Sequence, residues 1–376
     1  MTDPLFQPYV LNNGVTVKNR LVVAPMTHFA SQPDGTLSPQ ERNFLSNRAE
    51  NMGMFITAAT LVAQNGKAFH GQPEALGEQH LDSLRETAAL LQQQGAKAIL
   101  QIHHGGWQAL PELLKGETAI SASEHAASGA QAASESQIAD LIEAFARAAD
   151  LALRAGFDGV EIHGANGYLL QQFFSAQSNR RDDQWGGSLD KRLRFPLAVV
   201  DAVVQVRERH AKPEFIIGYR FSPEEAGEHG LTMADTFALI DALAAKPLQY
   251  LHISLWDFNK TARRGADTQR TRMALVHEHL AGRLPLIGVG NLLSGQQIRA
   301  AAQSGWAEFI ALGKAVLLNP NIATLLQAQR DSEIVTELDP EQADHYGIPD
   351  VLWGYCQQGG AWLPPLKGQA WQPMDI

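Results

Sequence analysis

The stretch from Gly159 to Gly187 contains side chains that could do chemistry directly after a predicted strand. The residues 159–162 are apolar and β-branched around Glu161, and His163, Asn166 and Tyr168 follow them. Imidazole, carboxamide and phenol groups can donate hydrogen bonds or protons. Polar groups directly after a buried strand are poorly placed for packing and well placed for catalysis. We therefore predict a functional site at this loop.

Gln101 and Arg220 each end an apolar run. A guanidinium buried there without a partner would cost on the order of several kcal/mol. An anionic or strongly accepting ring edge would satisfy both side chains. The alternative for Arg220 is a surface salt bridge with Glu224 or Glu225.

Glycine-rich turns follow the last two predicted strands. They contain Gly290-Asn291 and Gly313-Lys314. Glycine N–H groups can approach an anion closely, a helix N-terminus favours phosphate, and Lys314 adds positive charge. The turns therefore predict a phosphate site, with ordinary glycine turns as the alternative.

Metal and hydrolase chemistry are poorly supported. Cys356 is the single cysteine, which excludes a disulfide framework, a four-cysteine zinc site and a cysteine-held iron–sulfur cluster. His103 and His104 are adjacent and point to opposite faces of a strand, and no carboxylate lies at ligand spacing from His163. No G-x-S-x-G elbow occurs. We predict no metal site.

The composition and charge of the chain limit the classes of partner that it could bind. The chain has 376 residues, is 45% hydrophobic and carries a formal net charge of −10 without a basic run, which argues against nucleic acid. Neither a signal peptide nor an apolar run of ~18 residues is visible. We predict a soluble, cytoplasmic protein with no membrane or nucleic-acid partner. The oligomeric state is open, and a homo-oligomer is one option.

Strands and helices alternate along the chain after a small hairpin at residues 9–17. The predicted strands are 21–25, Met54–Ala58, Ala96–Gln101, Gly159–Ile162, Phe215–Tyr219, Tyr250–Ile253, Leu286–Val289 and Phe309–Leu312. The predicted helices between them are Leu81–Gln94, Ser136–Arg154, Leu189–Arg209, Met233–Ala245, Gln269–Leu280 and Gln296–Gln303.

Eight such strands favour an α/β fold, a (β/α)8 TIM barrel with extended loops after strands 3 and 4. A doubly wound sheet would need a Gly-rich turn after an early strand, and none occurs. We predict a single domain over residues 1–376, with the barrel at about 20–320 and a C-terminal wrapping segment at 321–376.

From about Tyr9 to Asn319 the chain resembles the old yellow enzyme family of ene-reductases that depend on flavin mononucleotide (FMN). The motifs that carry the resemblance are Ala24-Pro25-Met26-Thr27, Gln101-Ile102-His103-His104-Gly105-Gly106, the glycine ends of the last strands and His163-Gly164-Ala165-Asn166-Gly167-Tyr168-Leu169 with Phe174-Ser175, Asn179, Arg181, Asp183 and Gly186-Gly187.

The resemblance implies tightly but non-covalently bound FMN, with NADH or NADPH as the reductant. Residues implied along the flavin ring are Ala24, Pro25, Met26, Thr27 and Ala59, those at its pyrimidine edge are Gln101 and Arg220, and those at the phosphate are Gly290, Asn291, Gly313 and Lys314.

The resemblance also implies a reaction. His163 and Asn166 would bind the carbonyl oxygen of an α,β-unsaturated substrate, Tyr168 would donate a proton, and Phe29 would cover the substrate as an apolar lid. Nicotinamide and alkene would use the same flavin face in turn, giving ping-pong reduction of activated alkenes.

Several residues depart from the family pattern. Many relatives carry cysteine at Thr27, tyrosine at Phe29, glutamate at Ala58, arginine at Trp107, proline at Ala176 and arginine at Lys314. Lysine keeps the charge at position 314 but loses the bidentate fork. Three alternatives remain: a flavin reductase acting on quinones or nitro compounds, a phosphate-binding lyase barrel without flavin, and a flavin-storing protein without turnover.

Overall fold

The computed structural model describes residues 3–374, which contain a closed barrel of eight parallel strands. Consecutive strands pair side by side, and the last pairs with the first. The barrel prediction is confirmed, and the open doubly wound alternative is wrong. The strands are β1 (Leu21–Val23), β2 (Met54–Ile56), β3 (Lys97–His103), β4 (Gly159–Gly164), β5 (Ile216–Phe221), β6 (Tyr250–Ile253), β7 (Leu286–Gly288) and β8 (Phe309–Leu312).

Helices connect the strands. The longer ones are Pro39–Ser46, Leu81–Gln93, Glu135–Ala155, Arg194–Arg209, Met233–Ala244, Arg272–Leu280, Gly295–Gln303 and Asp350–Gln358. The shorter ones are Leu169–Phe174, Leu189–Arg192, Lys314–Leu318, Ile322–Gln327 and Ala343–Tyr346. In the described part of the chain, no helix combines the length and apolar character needed to cross a membrane.

Several helices differ from the predicted pattern, among them the unpredicted Pro39–Ser46 and Asp350–Gln358 and the helix predicted over 189–209. The helix Pro39–Ser46 was not predicted because its sequence is mostly polar, although Ser38 caps it by accepting the N–H of Glu41. The predicted helix over 189–209 is interrupted at Leu193. The helix Glu135–Ala155 has a Ser134–Gln137 capping box and a continuous buried apolar face. Its predicted and observed bounds agree within one residue.

The N-terminal hairpin closes the amino-terminal end of the barrel. Its strands Tyr9–Val10 and Thr16–Val17 pair antiparallel, as predicted. Val17 and Leu11 pack with residues of the barrel interior, and the Tyr9 ring lies 5.2 Å from the ring of Phe309. Because this end is packed, ligands must enter from the opposite face, where the strands end.

The C-terminal segment, as far as residue 374, contacts the barrel and reaches that opposite face. The guanidinium of Arg48 donates to the backbone carbonyl of Tyr346, which anchors the segment. Further along, the Tyr355 ring lies 5.2 Å from the ring of Phe29, and the Trp371 ring lies 5.1 Å from Nζ of Lys314. The segment therefore contributes side chains at the edge of the predicted site.

A buried ionic cluster joins the loops after β1 and β2. Nζ of Lys67 lies 2.6 Å from Oε1 of Glu74, and Nε2 of His80 lies 3.4 Å from Oε2 of the same carboxylate and 2.9 Å from the carbonyl of Asp34. Burial acts to lower the pKa of His80, but the hydrogen bonds to Glu74 and Asp34 outweigh it and raise the pKa. Burial acts to raise the pKa of Glu74, yet His80 and Lys67 hold it below its usual value.

This cluster predicts a pH window of greatest stability. The His80 contribution is complete below the ordinary histidine value of 6.5 and is lost as pH rises through the folded-state pKa. The Glu74 contribution is complete above the ordinary glutamate value of 4.5 and is lost as pH falls through its folded-state pKa. Urea denaturation should therefore show the largest stability loss for His80→Gln between these two values, shrinking toward alkaline pH. The exposed His70 provides the control, His70→Gln. A loss that is constant with pH would contradict the assignment.

Candidate active site

The register of β3 to β6 brings polar side chains into one layer. Gln101 on β3 lies opposite Glu161 on β4, and Arg220 on β5 lies opposite both His163 on β4 and His252 on β6. Gln101 and Arg220 lie within their strands, because β3 and β5 extend two residues further than predicted. Their side chains are therefore part of the barrel and not of the loops.

Arg220 is buried, with 8% of its surface exposed, so the surface salt-bridge alternative is wrong. Glu224 instead bonds Arg272 at 2.7 Å, and Glu225 accepts from Gln171 at 2.6 Å. The Nε atom of Arg220 is buried and has no hydrogen-bond partner among the described residues. A ligand with an acceptor at this point would complete the site.

Glu161 is the carboxylate beside Arg220, and its side chain is fully buried. Its Oε1 accepts from Nε2 of Gln101 at 2.7 Å, and its Oε2 lies 2.9 Å from Nδ1 of His252. Burial acts to raise the pKa of Glu161, but His252, Arg220 and Gln101 hold it below its usual value. The carboxylate therefore stays ionised and holds Gln101 in place.

His163, the fifth residue of β4, is a neutral hydrogen-bond donor. Its Nδ1 accepts the backbone N–H of Ala165 at 3.3 Å, so the ring proton lies on Nε2. Burial, reinforced by the charge of Arg220, lowers the pKa of His163 well below its usual value. The imidazole is therefore neutral and offers Nε2–H.

Asn166 lies at the exposed edge of the site with a left-handed backbone, φ +59°. Asparagine tolerates this conformation better than most residues. Its Oδ1 accepts from Oγ of Ser254 at 2.8 Å, and its backbone N–H donates to Oγ of Ser222 at 2.8 Å. These bonds orient the amide and leave Nδ2 as its donor.

Tyr168 packs against two histidine rings. Its ring centroid lies 5.3 Å from that of His163 and 4.5 Å from that of His103, and the ring of Phe69 lies 6.0 Å away. Burial raises the pKa of Tyr168 to about 12. The phenol therefore keeps its proton at neutral pH. The structure thus brings the predicted His163 and Tyr168 together, and Asn166 lies in the loop that connects them.

The predicted ring-contacting residues lie on the loops after β1 and β2. Ala24 is buried and donates its N–H to the carbonyl of Leu312 at 3.0 Å, while Pro25, Met26 and Thr27 are half-buried beyond it. The carbonyl of Ala59 accepts from Nε2 of Gln72 at 3.0 Å. Phe29 has φ +56°, and its ring lies 6.4 Å from that of Phe69.

The predicted phosphate residues meet at the ends of β7 and β8. Nζ of Lys314 donates to Oδ1 of Asn291 at 2.5 Å, and Nδ2 of Asn291 is buried without a partner among the described residues. A Cβ atom on Gly290 would lie 2.3 Å from the backbone nitrogen of Phe258, so glycine is required there. Gly313 precedes a helix of five residues, which is too short for its dipole to dominate. Burial lowers the pKa of Lys314 to about 8.

The chain is similar to known proteins over most of its length. The family model described as "NADH:flavin oxidoreductase / NADH oxidase family" matches residues 4–333. The chain belongs to this family. The old yellow enzyme resemblance is thereby confirmed, and with it an FMN-dependent oxidoreductase that uses NADH or NADPH. The alternative of a lyase barrel without flavin is wrong.

Relatives and solved structures agree with this assignment. "Probable NADH-dependent flavin oxidoreductase YqiG" of Bacillus subtilis (strain 168) is 44% identical over 96% of this chain and 98% of its own length. "NADH:fumarate oxidoreductase" of Klebsiella pneumoniae (strain 342) is 36% identical over 94% of this chain, which spans 39% of that longer protein. The structure of morphinone reductase in complex with tetrahydroNAD is 26% identical, covers 93% of this chain and 96% of its own, and superposes with a TM-score of 0.75.

Several residues of this site were not predicted from the sequence. Glu161 and His252 are polar residues inside otherwise apolar strands, and that pattern could have identified them. Gln72, Phe69 and Tyr355 come from loops and from the C-terminal segment, where no local pattern indicates proximity to the site.

Removing the Glu161 carboxylate should strongly destabilise the barrel. Glu161→Leu leaves the buried Arg220 charge without its counter-charge, which typically costs roughly 3–5 kcal/mol. Urea denaturation of the apoprotein measures this loss. The double variant Glu161→Leu/Arg220→Leu should recover part of it, because both charges are gone. The control is Glu78→Gln, which removes an exposed partner of Arg154. Its free energy of unfolding should be close to the wild-type value. If the free energy of unfolding of Glu161→Leu lay within about 1 kcal/mol of the wild-type value, Glu161 and Arg220 would not be coupled.

Proposed function

We propose that this oxidoreductase reduces the C=C bond of α,β-unsaturated carbonyl compounds and related activated alkenes. The supporting observation is the combination of two neutral donors with a protonated phenol. His163 offers Nε2–H, Asn166 offers Nδ2–H, and Tyr168 keeps its proton beside His163. Such a set can bind one carbonyl oxygen and protonate a neighbouring carbon.

The proposed cofactor residues form three groups. Gln101 and Arg220 would hold the pyrimidine edge of the flavin, and the unpartnered Nε of Arg220 fits an acceptor there. Lys314 and the unpartnered Nδ2 of Asn291 fit the phosphate, with Gly290 and Gly313 beside them. The residues proposed to line the ring between these two ends are Ala24, Pro25, Met26, Thr27 and Ala59.

The chain's own residues would carry the remaining steps. Bound FMN supplies the hydride, taken from NADH or NADPH. Donors from His163 and Asn166 would stabilise the negative charge that develops on the carbonyl oxygen, and one such donor is typically worth roughly 3–4 kcal/mol. Tyr168 would deliver a proton to the α-carbon, since its raised pKa keeps the phenol protonated through neutral pH. Phe29 would cover the substrate.

The names of the related proteins are consistent with this reaction. Morphinone reductase has been solved with tetrahydroNAD, and the Klebsiella relative is named for NADH and fumarate. For this chain we propose that nicotinamide and alkene occupy the same pocket in turn, giving ping-pong turnover. A quinone or nitro compound could accept hydrogen bonds from the same donors, but its reduction would not require carbon protonation by Tyr168.

The cofactor assignment predicts a yellow protein that binds one FMN. Lys314→Met should weaken FMN binding roughly 10- to 100-fold, because a buried charged donor to phosphate is lost. In the wild-type apoprotein, FMN affinity should fall as pH rises past about 8, where free Lys314 loses its proton. Fluorescence titration of apoprotein with FMN measures both effects. A colourless protein that rejects added FMN would overturn the assignment.

The proton-donor assignment predicts that Tyr168→Phe separates the two half-reactions. Stopped-flow measurements should show flavin reduction by NADH or NADPH close to wild type. Reoxidation by 2-cyclohexenone should slow by about 10²- to 10⁴-fold, as expected for a lost general acid. Tyr9→Phe, at the opposite end of the barrel, is the control. If both half-reactions slowed equally, Tyr168 would not be a selective proton donor.

A further inference from the structure

His103 has a defined tautomer because Gln72 beside it can adopt only one orientation. Oε1 of Gln72 accepts the backbone N–H of Ala68 at 2.9 Å, and Nε2 donates to the carbonyl of Ala59 at 3.0 Å. The second N–H of this amide therefore faces Nδ1 of His103, 3.1 Å away. Since Nδ1 must accept, the ring proton of neutral His103 lies on Nε2.

This Nε2–H is a buried donor without an acceptor. The His103 side chain is fully buried, and Nε2 has no hydrogen-bond partner among residues 3–374. Burial, with the nearby His163 and His104, also lowers the pKa of His103 well below its usual value. Folded proteins rarely leave a buried donor unpaired, so an unpaired one beside a binding pocket indicates a ligand.

The donor belongs to the pocket already described. Side chains two residues apart on a strand share a face, so His103 follows Gln101 on the inner face of β3. Its ring centroid lies 5.1 Å from that of His163 and 4.5 Å from that of Tyr168. The neighbouring His104 is different, because Nε2 bonds Asn65 at 2.9 Å and Nδ1 accepts from Gly106 at 3.0 Å.

The pocket therefore has one donor more than a simple enone needs. His163 and Asn166 already supply the two donors proposed for one carbonyl oxygen. We infer that His103 is a specificity-determining residue whose Nε2–H binds a second acceptor oxygen, so that the preferred substrates are alkenes activated by two carbonyl groups, such as unsaturated imides, diketones or diesters. This inference rests on the proposed function and names its substrate class.

The test compares maleimide, which has two carbonyl groups, with 2-cyclohexenone, which has one. His103→Phe keeps a packed ring and removes the donor, whereas His103→Gln keeps an N–H that can reach a similar position. The ratio of kcat/KM for maleimide to kcat/KM for 2-cyclohexenone should fall about 10- to 100-fold in His103→Phe. His103→Gln should restore most of the ratio. His210→Phe, on the outer surface, is the control.

Binding provides a second readout that needs no turnover. Succinimide and cyclohexanone, the saturated counterparts, can be titrated into oxidised holoenzyme and followed by the perturbation of flavin absorbance. His103→Phe should weaken the binding of succinimide by a factor at least tenfold larger than the factor by which it weakens the binding of cyclohexanone. Unchanged ratios in a yellow, folded His103→Phe protein would overturn the inference while leaving alkene reduction standing. A wild-type enzyme that reduces neither alkene would instead refute the proposed function, and the binding titration would still decide the role of His103.

Discussion

The site depends on one buried carboxylate. Glu161 lies at 0% exposure inside the barrel, where an ionised group is stable only with compensating charge and hydrogen bonds. Gln101 and His252 bond its two oxygens, and Arg220 supplies the opposite charge. All four residues lie on adjacent strands, so the barrel register itself assembles the network. A cofactor seated on this layer would meet an amide and a guanidinium that are already oriented.

Burial also determines the protonation states of the side chains next to this network. Away from water the charged forms are disfavoured, so His103 and His163 are neutral and Tyr168 keeps its proton. Local acceptor bonds then fix each proton on Nε2 of the two histidines. The pocket is therefore rich in neutral donors, which suits carbonyl oxygens better than cationic ligands. On the proposed function, the substrate preference would follow from the number and direction of those donors.

The opposite end of the site joins the barrel to the C-terminal segment. Lys314 bonds Asn291 across the ends of β7 and β8, and the rings of Trp256 and Trp371 each lie 5.1 Å from its Nζ. This enclosure lowers the lysine pKa to about 8, so its charge responds to pH and to a bound anion. The segment that contributes Trp371 also places Tyr355 against Phe29. One stretch of chain thus contacts both the proposed phosphate site and Phe29, the proposed substrate lid.

The sequence alone predicted the barrel, because strand and helix periodicities are local. It also pointed to His163, Asn166 and Tyr168, because they lie close together in the sequence. It also indicated that Arg220 needs a partner. Only the tertiary structure identified Glu161 as its counter-charge, because the two residues come together on neighbouring strands of the barrel. His252 and Glu161 are 91 residues apart and also meet only inside the barrel. Gln72 and His103, 31 residues apart, meet through loop packing. Protonation states and tautomers depend on burial and on such distant contacts, which no local pattern encodes.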